Sequence, residues 1–398
     1  MDMPRRTVLE GIATNAALSV AIGAPWAAGV SAKSTHGGDV ARWDAFEIVT
    51  GDTIVAAAKV AGQPARGILD SGSGATILSS DLAARLGLAG DARTISGLAA
   101  KTGVTLVKDV VVELAGLPRA LPFVIVGDLS AVSRTIGQSV DLVLGTDLFI
   151  DRCVAIDFGR RRYSLSPSGT FQGGAGWKVL PVSRGDKQEL LTLVTLPHGG
   201  PMSMMVDTGN SNALIVSQAV LQDRALAEGR PQSSALIAGV DGVQTAGLVT
   251  IDGVQFGGLT LDGIPSIAMP RWLPARAVGN VGLPLIAQFD VVFDISSSRL
   301  WVRPLRKAQR LPLLKDRSGL GLQADRSALV VVHVARGSPA ARDDWVVGTR
   351  IVAVNGQRIN GGYTHGQLWK WRFDRPGTVV KLLLDTGRIV PLELEDYY

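Results

Sequence analysis

A short motif that occurs twice limits the folds available to this chain of 398 residues. Positions 68–72 and 205–209 both carry two apolar residues, an aspartate, a serine or threonine, and a glycine. The two aspartates, Asp70 and Asp207, lie 137 positions apart. A repeat of this kind predicts two similar structural units, each of which contributes one carboxylate.

The same offset relates two later pairs of residues. Gly145 and Gly282 each follow an apolar residue, and Asp157 and Asp294 each lie in an apolar, strand-like run. Three matches in register are hard to obtain by chance, so we interpret the chain as a duplication. We expect Asp157 and Asp294 to be structural, because they stand between apolar strand residues just before a turn.

The composition favours a turn-rich β protein of two or three domains. Hydrophobic residues make up 46% of the chain, which also has 47 glycines and 19 prolines. The net charge of +5 is spread without a dense basic block, so nucleic acid is not an expected partner. The single cysteine, Cys153, lies in an apolar run and is expected to be buried and unreactive. The histidines show no paired ligand spacing, so we predict no metal site and no cofactor.

Residues 1–32 resemble a twin-arginine export signal. Arg5 and Arg6 precede a weakly apolar stretch at 11–30, and small residues before Lys33 fit a cleavage site. Polar residues within the stretch disfavour a permanent membrane span. We therefore expect an exported protein, periplasmic or secreted, with a cleaved signal peptide; an N-terminal anchor is the alternative.

Local sequence patterns predict three strands and the N-termini of two helices. Residues 54–60, 104–114 and 120–126 are apolar and largely β-branched, as in strands. A helix is expected after each motif, capped by Ser80 or Asp81 in the first copy and by Ser217 in the second. Flexible junctions at 166–176 and 304–312 divide the chain into units, which we place at 44–165, 177–304 and 311–398.

The motif suits acid–base chemistry. Its apolar pair anchors a strand in the core, so that the aspartate lies at a fixed depth. Ser71 and Thr208 can bond across to the opposite loop, and Gly72 and Gly209 permit a tight turn. Two carboxylates within hydrogen-bonding reach share one proton. The ionised member can then take a proton from water while the protonated member donates to a carbonyl oxygen.

These motifs resemble the pepsin-like and retropepsin-like aspartic proteases. In that family each lobe has a strand ending in Asp-Ser/Thr-Gly and a later apolar-apolar-Gly segment that crosses beneath the catalytic loop. Residues 142–145 and 280–282 supply that segment here, although Asn280 stands where an apolar residue is usual. The resemblance covers residues 44–304. It implies two β lobes around a cleft, a peptide or protein substrate, and catalysis by Asp70 and Asp207.

The resemblance also implies supporting residues and flaps. Ser73 and Asn210, which follow the two motif glycines, are expected to bond the outer carboxylate oxygens. The first lobe lacks the flap tyrosine of pepsins, and its glycine-rich flap fits the retropepsin type better. The candidate flap residues are Gly97, Leu98, Ala99, Gly239 and Val240.

Residues 311–398 resemble a PDZ domain. A Gly-Leu-Gly-Leu loop at 319–322 and an apolar strand at 329–334 carry this resemblance. It implies that Leu320, Gly321 and Leu322 bind the C-terminal carboxylate of a peptide, which adds as a strand. Such a domain recruits substrate, regulates the cleft, or only packs against the protease.

Two other functions stay open. Actin-like ATPases also carry two Asp-x-Gly loops, but they need long amphipathic helices and cytosolic ATP. A non-catalytic peptide-binding protein could keep the protease fold. We predict a mostly β chain of two pseudo-symmetric acid-protease-like lobes followed by a PDZ-like domain. Its expected function is that of a monomeric aspartic endopeptidase.

Overall fold

The computed structural model describes residues 42–96, 101–185, 188–239, 242–272, 274, 276–364 and 366–398. The predicted export signal at 1–32 lies outside the described residues. Within the described part, no helix is long and apolar enough to span a membrane. This part is mostly β, as predicted, and its longest helix has seven residues. The long helices that the actin-like alternative requires are therefore absent from the described residues.

The first copy of the motif lies in a unit that we call the N-terminal unit (residues 43–167). The three predicted strands are present as Thr53–Val60, Lys101–Leu114 and Leu117–Gly127, which are longer than predicted by one, three and four residues. Its elements are β1 (Trp43–Val49), β2 (Thr53–Val60), β3 (Gln63–Leu69), β4 (Ile77–Ser79), α1 (Ser80–Arg85), β5 (Asp91–Ser96), β6 (Lys101–Leu114), β7 (Leu117–Gly127), α2 (Ser130–Ile136), β8 (Leu142–Leu144), a 3-10 turn (Thr146–Leu148), β9 (Arg152–Asp157) and β10 (Arg162–Pro167).

The second copy lies in the central unit (residues 178–304). Its elements are β11 (Lys178–Pro181), β12 (Ser183–Arg184), β13 (Leu190–Thr195), β14 (Pro201–Asp207), β15 (Leu214–Ser217), α3 (Gln218–Asp223), β16 (Gln232–Gly239), β17 (Gly242–Ile251), β18 (Val254–Phe256), β19 (Leu259–Leu261), β20 (Ile264–Met269), β21 (Gly279–Gly282), α4 (Leu283–Ile286), β22 (Phe289–Asp294) and β23 (Arg299–Pro304).

Strand pairing preserves the repeat. In the N-terminal unit, β3 pairs in parallel with β8 and places Ile68 opposite Val143. In the central unit, β14 pairs in parallel with β21 and places Met205 opposite Asn280. Both residues of the second pair lie 137 positions after those of the first. The sequence offset therefore corresponds to one structural arrangement built twice.

The second copy has one extra residue after its motif. Ile77 lies opposite Val143, and Ile215 lies opposite Asn280. The partners differ by 137 positions, whereas Ile77 and Ile215 differ by 138. The loop at 210–214 is therefore one residue longer than its counterpart at 73–76.

The helix that follows each motif begins at a serine cap. Ser217 caps α3, as predicted. The prediction for α1 is wrong, because the cap is Ser79, whose hydroxyl accepts a hydrogen bond from Leu82 N at 3.0 Å. Ser80 and Asp81 are already helical. The extended backbone that a cap requires occurs at Ser79, where β4 ends.

The two units share one sheet through the pairing of β9 with β22. Asp157 accepts a hydrogen bond from Arg160 N at 2.9 Å and so holds the turn after β9. Asp294 accepts from Ser168 Oγ at 2.6 Å and from Gly169 N at 2.9 Å, which fastens the junction after β10. Both aspartates thus have the structural contacts that we expected.

A continuous apolar core runs through the N-terminal and central units. Cys153 is buried, as predicted, and burial raises the pKa of its thiol. Because a raised pKa keeps the thiol protonated, this cysteine is a poor nucleophile.

The remaining chain forms a C-terminal unit (residues 320–394) with a separate apolar core. Its six-stranded sheet has the strand Leu320–Ala324 at one end, which pairs with Leu329–Val334. The Ser338 hydroxyl caps the short helix Pro339–Arg342. The elements are β24 (Leu320–Ala324), β25 (Leu329–Val334), α5 (Pro339–Arg342), β26 (Arg350–Val354), β27 (Gln357–Arg358), a 3-10 helix (Leu368–Phe373), β28 (Val379–Leu384) and β29 (Ile389–Glu393); another 3-10 turn (Lys307–Gln309) precedes the unit.

Candidate active site

The two motif aspartates occupy equivalent strand ends. Asp70 directly follows β3, and its N–H donates to Leu144 O of β8 at 3.0 Å. Asp207 is the last residue of β14 and pairs with Gly282 of β21. Both aspartates are fully buried.

The hydroxyl residues of the motifs bond across to the opposite loop. Ser71 N donates to Thr208 Oγ1 at 2.9 Å, and Thr208 N donates to Ser71 Oγ at 3.0 Å. Ser71 Oγ in turn donates to Val206 O at 2.9 Å, and Thr208 Oγ1 donates to Leu69 O at 2.7 Å. Each hydroxyl therefore accepts one bond and donates another across the boundary, which ties the two strand ends together.

The motif glycines allow the carboxyls to meet. A Cβ atom at Gly72 would overlap the carboxyl group of Asp207, and one at Gly209 would overlap that of Asp70. Each carboxyl thus packs directly on the glycine of the opposite loop. Any larger residue would displace a carboxyl, so glycine is required at both positions.

Asp70 receives its hydrogen bonds on one oxygen. Oδ1 accepts from Gly72 N at 2.7 Å and from Ser73 N at 3.1 Å. Oδ2 is buried without a hydrogen-bond donor. Burial raises the pKa of Asp70 well above its ordinary value, and the charge of the nearby Asp207 carboxyl raises it further. A proton shared with the Asp207 carboxyl would give Asp70 Oδ2 the hydrogen bond that it lacks.

Asp207 receives hydrogen bonds on both oxygens. Oδ1 accepts from Gly209 N at 2.9 Å, and Oδ2 accepts from Asn280 Nδ2 at 2.7 Å. The contact with Asn280 did not follow from the sequence, where this residue only weakened the match to an apolar segment. A polar residue in an otherwise apolar crossing strand was the signal that could have identified it.

The side chains of Ser73 and Asn210 do not bond the carboxylates, contrary to expectation. Ser73 Oγ donates to Ala75 O at 2.7 Å, and its backbone N–H serves Asp70 instead. Asn210 Nδ2 donates to Asn280 Oδ1 at 3.0 Å. The Ser73 side chain therefore bonds its own loop. The Asn210 side chain bonds Asn280, which in turn bonds Asp207.

A second buried carboxyl supports the loop of Asp70. Asp147 Oδ2 accepts from Thr76 N and Oδ1 from Thr76 Oγ1, both at 2.7 Å. Burial raises the pKa of Asp147 to about 6, although these hydrogen bonds oppose the rise. Thr146 N also donates to Ser73 O at 2.8 Å, and these contacts fix the loop that carries the carboxylate.

The paired strands β5–β6 and β16–β17 flank the predicted flap residues in the sequence. Gly97, Leu98, Ala99 and Val240 lie outside the described residues. Gly239 ends β16, where it pairs with Gly242. The described parts therefore supply the stems of both candidate flaps.

The predicted peptide-binding residues Leu320, Gly321 and Leu322 form the start of β24. Leu320 N donates to Ser318 Oγ at 3.1 Å. All three residues border a cavity of about 220 Å³, which Asp70 and Asp207 do not line. Across the described ranges, no cluster of three or more His, Cys, Asp or Glu residues could hold a metal ion.

Replacing Thr208 tests the bonds that cross between the loops. Thr208→Val removes the acceptor for Ser71 N and the donor to Leu69 O, and leaves both backbone groups buried and unpaired. We expect the free energy of unfolding to fall by about 2–4 kcal/mol. Thr208→Ser, which keeps the hydroxyl, should lose only about 1 kcal/mol for the missing methyl. Urea denaturation measures both, and equal stability of the two variants would contradict this role.

A match to a known protein family includes the Asp70 half of this site. Residues 56–148 match the family model described as aspartyl protease. The matched region contains Asp70 and its crossing strand β8, but it ends before the second motif. No curated protein matches the chain. The match supports a hydrolase of the protease type.

Proposed function

We propose that this protein is an aspartic endopeptidase in which Asp70 and Asp207 act together on one water molecule. The observation that carries this proposal is the burial of two carboxyls at equivalent strand ends, each packed on the glycine of the opposite loop. The aspartyl protease match around Asp70 supports it. Neither half is sufficient alone, because each supplies one carboxyl and half of the crossing hydrogen bonds.

The pair can perform acid–base hydrolysis of an amide without a covalent intermediate. One carboxylate takes a proton from water as the water oxygen attacks the peptide carbonyl carbon, and the protonated partner donates to the carbonyl oxygen. The resulting tetrahedral species collapses when the amide nitrogen is protonated and the C–N bond breaks. Burial strengthens these proton transfers, because little bulk water competes for the hydrogen bonds.

Removing either carboxyl is expected to abolish hydrolysis. Asp70→Asn and Asp207→Asn should each lower kcat/KM for a cleaved peptide by about 1,000-fold or more, because the pair can no longer share a proton. Both variants should keep the fold, since an amide is nearly the same size as a carboxyl. Asp157→Asn is the matched control, because Asp157 also belongs to the repeat but holds a turn; it should keep most of the activity.

Two outcomes of that experiment would oppose the proposal. Full activity in either active-site variant would exclude the paired mechanism. A wild-type protein that binds peptides from a library but cleaves none would favour a non-catalytic peptide-binding protein.

The raised pKa of Asp70 predicts the pH range of activity. The pair needs one proton, and burial keeps this proton on the carboxyls at pH values where an exposed aspartate has lost it. We expect a bell-shaped profile of kcat/KM, whose alkaline limb lies well above about pH 4. Initial rates with a fluorogenic peptide measure this profile. Loss of activity at the ordinary pKa of an aspartate would show that the pair does not hold its proton as proposed.

We further propose that β24 binds a peptide C-terminus and that this binding acts on the protease. In support, β24 is the terminal strand of its sheet, and its cavity is also lined by Ser234 of β16. The C-terminal unit and the residues that follow it contact the same hairpin, since Ser234 Oγ lies 3.1 Å from His333 Nε2 and Thr250 Oγ1 donates to Tyr398 O at 3.0 Å. A peptide along β24 would therefore approach the hairpin that carries the second candidate flap.

Peptides with a free or an amidated C-terminus test this second proposal. A peptide that binds β24 through its carboxylate should change kcat/KM for a separate substrate, and its amidated form should not. Equal effects of the two forms, or no effect of either, would contradict it.

A further inference from the structure

Three buried asparagines form a chain that ends on Asp207. Asn212 donates from its backbone N and from Nδ2 to Asn210 Oδ1, both at 3.0 Å. Asn210 Nδ2 donates to Asn280 Oδ1 at 3.0 Å, and Asn280 Nδ2 donates to Asp207 Oδ2 at 2.7 Å. All three side chains are buried. Asn210 and Asn280 each accept on the side away from Asp207 and donate on the side toward it.

This direction favours a negative charge on Asp207. Hydrogen bonds in a chain polarise one another, and a bond to an ionised acceptor is stronger than one to a neutral acceptor. The other oxygen of Asp207 also accepts a bond, from Gly209 N. Protonation of Asp207 would therefore weaken an existing hydrogen bond at whichever oxygen received the proton.

Asp70 has the opposite arrangement. Both of its backbone donors, Gly72 N and Ser73 N, bind Oδ1, and Oδ2 is buried without a donor. A proton on Oδ2 would disturb neither bond and would supply the missing donor between the two carboxyls.

The difference arises from a few residues that break the repeat. Val143 occupies the position equivalent to Asn280, and its side chain has no polar atom that could bond a carboxyl. Ser73 stands where the second copy has Asn210. The extra residue of the second loop accommodates Asn212, whose two donors hold Asn210 in place.

We propose that Asn280, held by Asn210, is a positioning residue that assigns the charge of the pair to Asp207 and its proton to Asp70. This inference rests on the proposed hydrolysis and fixes the role of each aspartate in it. The water proton passes to Asp207 as the water oxygen bonds to the carbonyl carbon, and the Asp70 proton passes to the carbonyl oxygen. When the C–N bond breaks, Asp207 returns its proton to the nitrogen and Asp70 regains one from a hydroxyl of the tetrahedral species.

Carboxyl titration tests the assignment directly. In protein labelled with ¹³C at the aspartate carboxyls, Asp70→Asn and Asp207→Asn identify the two signals by their loss. At about pH 5 we expect the Asp207 carbon to have the chemical shift of a carboxylate and the Asp70 carbon that of a carboxylic acid. The reverse assignment would overturn the proposal.

Asn280→Val gives the second half the residue type that the first half has at Val143. It removes the Asn280 Nδ2 donor to Asp207 Oδ2. We expect the lower apparent pKa of the pair to rise by about one unit or more, and the acid limb of kcat/KM to move with it while KM stays unchanged. Val143→Ala, which loses packing at the equivalent position, should leave this pKa unchanged. If Asn280→Val does not fold, Asn280→Ser keeps a partner for Asn210 but is too short to reach Asp207.

An unchanged lower pKa in a folded Asn280 variant would overturn the inference. The titration needs no turnover, so the two proposals can fail separately. Wild-type protein that titrates as expected but cleaves no peptide would refute only the protease function. Hydrolysis with an unchanged pKa in the variant would refute only the role of Asn280.

Discussion

The crossed hydrogen bonds between Ser71 and Thr208 are the interaction on which the candidate site depends. Each hydroxyl accepts the backbone N–H of the other loop and donates to a carbonyl beyond it. These bonds bring two strand ends close enough for each carboxyl to pack on the opposite glycine. Two buried carboxyls would repel each other if both were ionised, so this packing is stable only when they share a proton. The bonds that stabilise the fold thereby bring together the two carboxyls of the proposed active site.

The duplication is symmetric in its scaffold and asymmetric in its polar contacts. The parallel pairs β3–β8 and β14–β21 keep the same register. Only the second half places an asparagine, Asn280, against its carboxylate. Only the first half has the Thr76–Asp147 pair, because Leu214 and Pro284 occupy the corresponding positions. Equivalent strands therefore place two aspartates among different hydrogen-bond partners.

Local sequence patterns were sufficient to predict several strands, the Ser217 cap and the equivalent strand ends that carry Asp70 and Asp207, because each depends on a short motif or on the repeat offset. The cap of α1 was misplaced by one or two residues, since it depends on where β4 leaves its sheet. The polar Asn280 in an otherwise apolar strand was a signal in the sequence, but its contact with Asp207 did not follow from composition or spacing. It depends on which face of β21 meets the carboxylate, and strand pairing fixes that face only in the folded chain.

Neutron diffraction from deuterated protein at about pH 5 would show which of the two buried carboxyls holds the proton, because it locates hydrogen positions that X-ray diffraction does not show. We expect a single deuteron between the two side chains, bonded to Asp70 Oδ2 and directed toward an ionised Asp207. Deuterons on both carboxyls, on neither, or on Asp207 alone would contradict it.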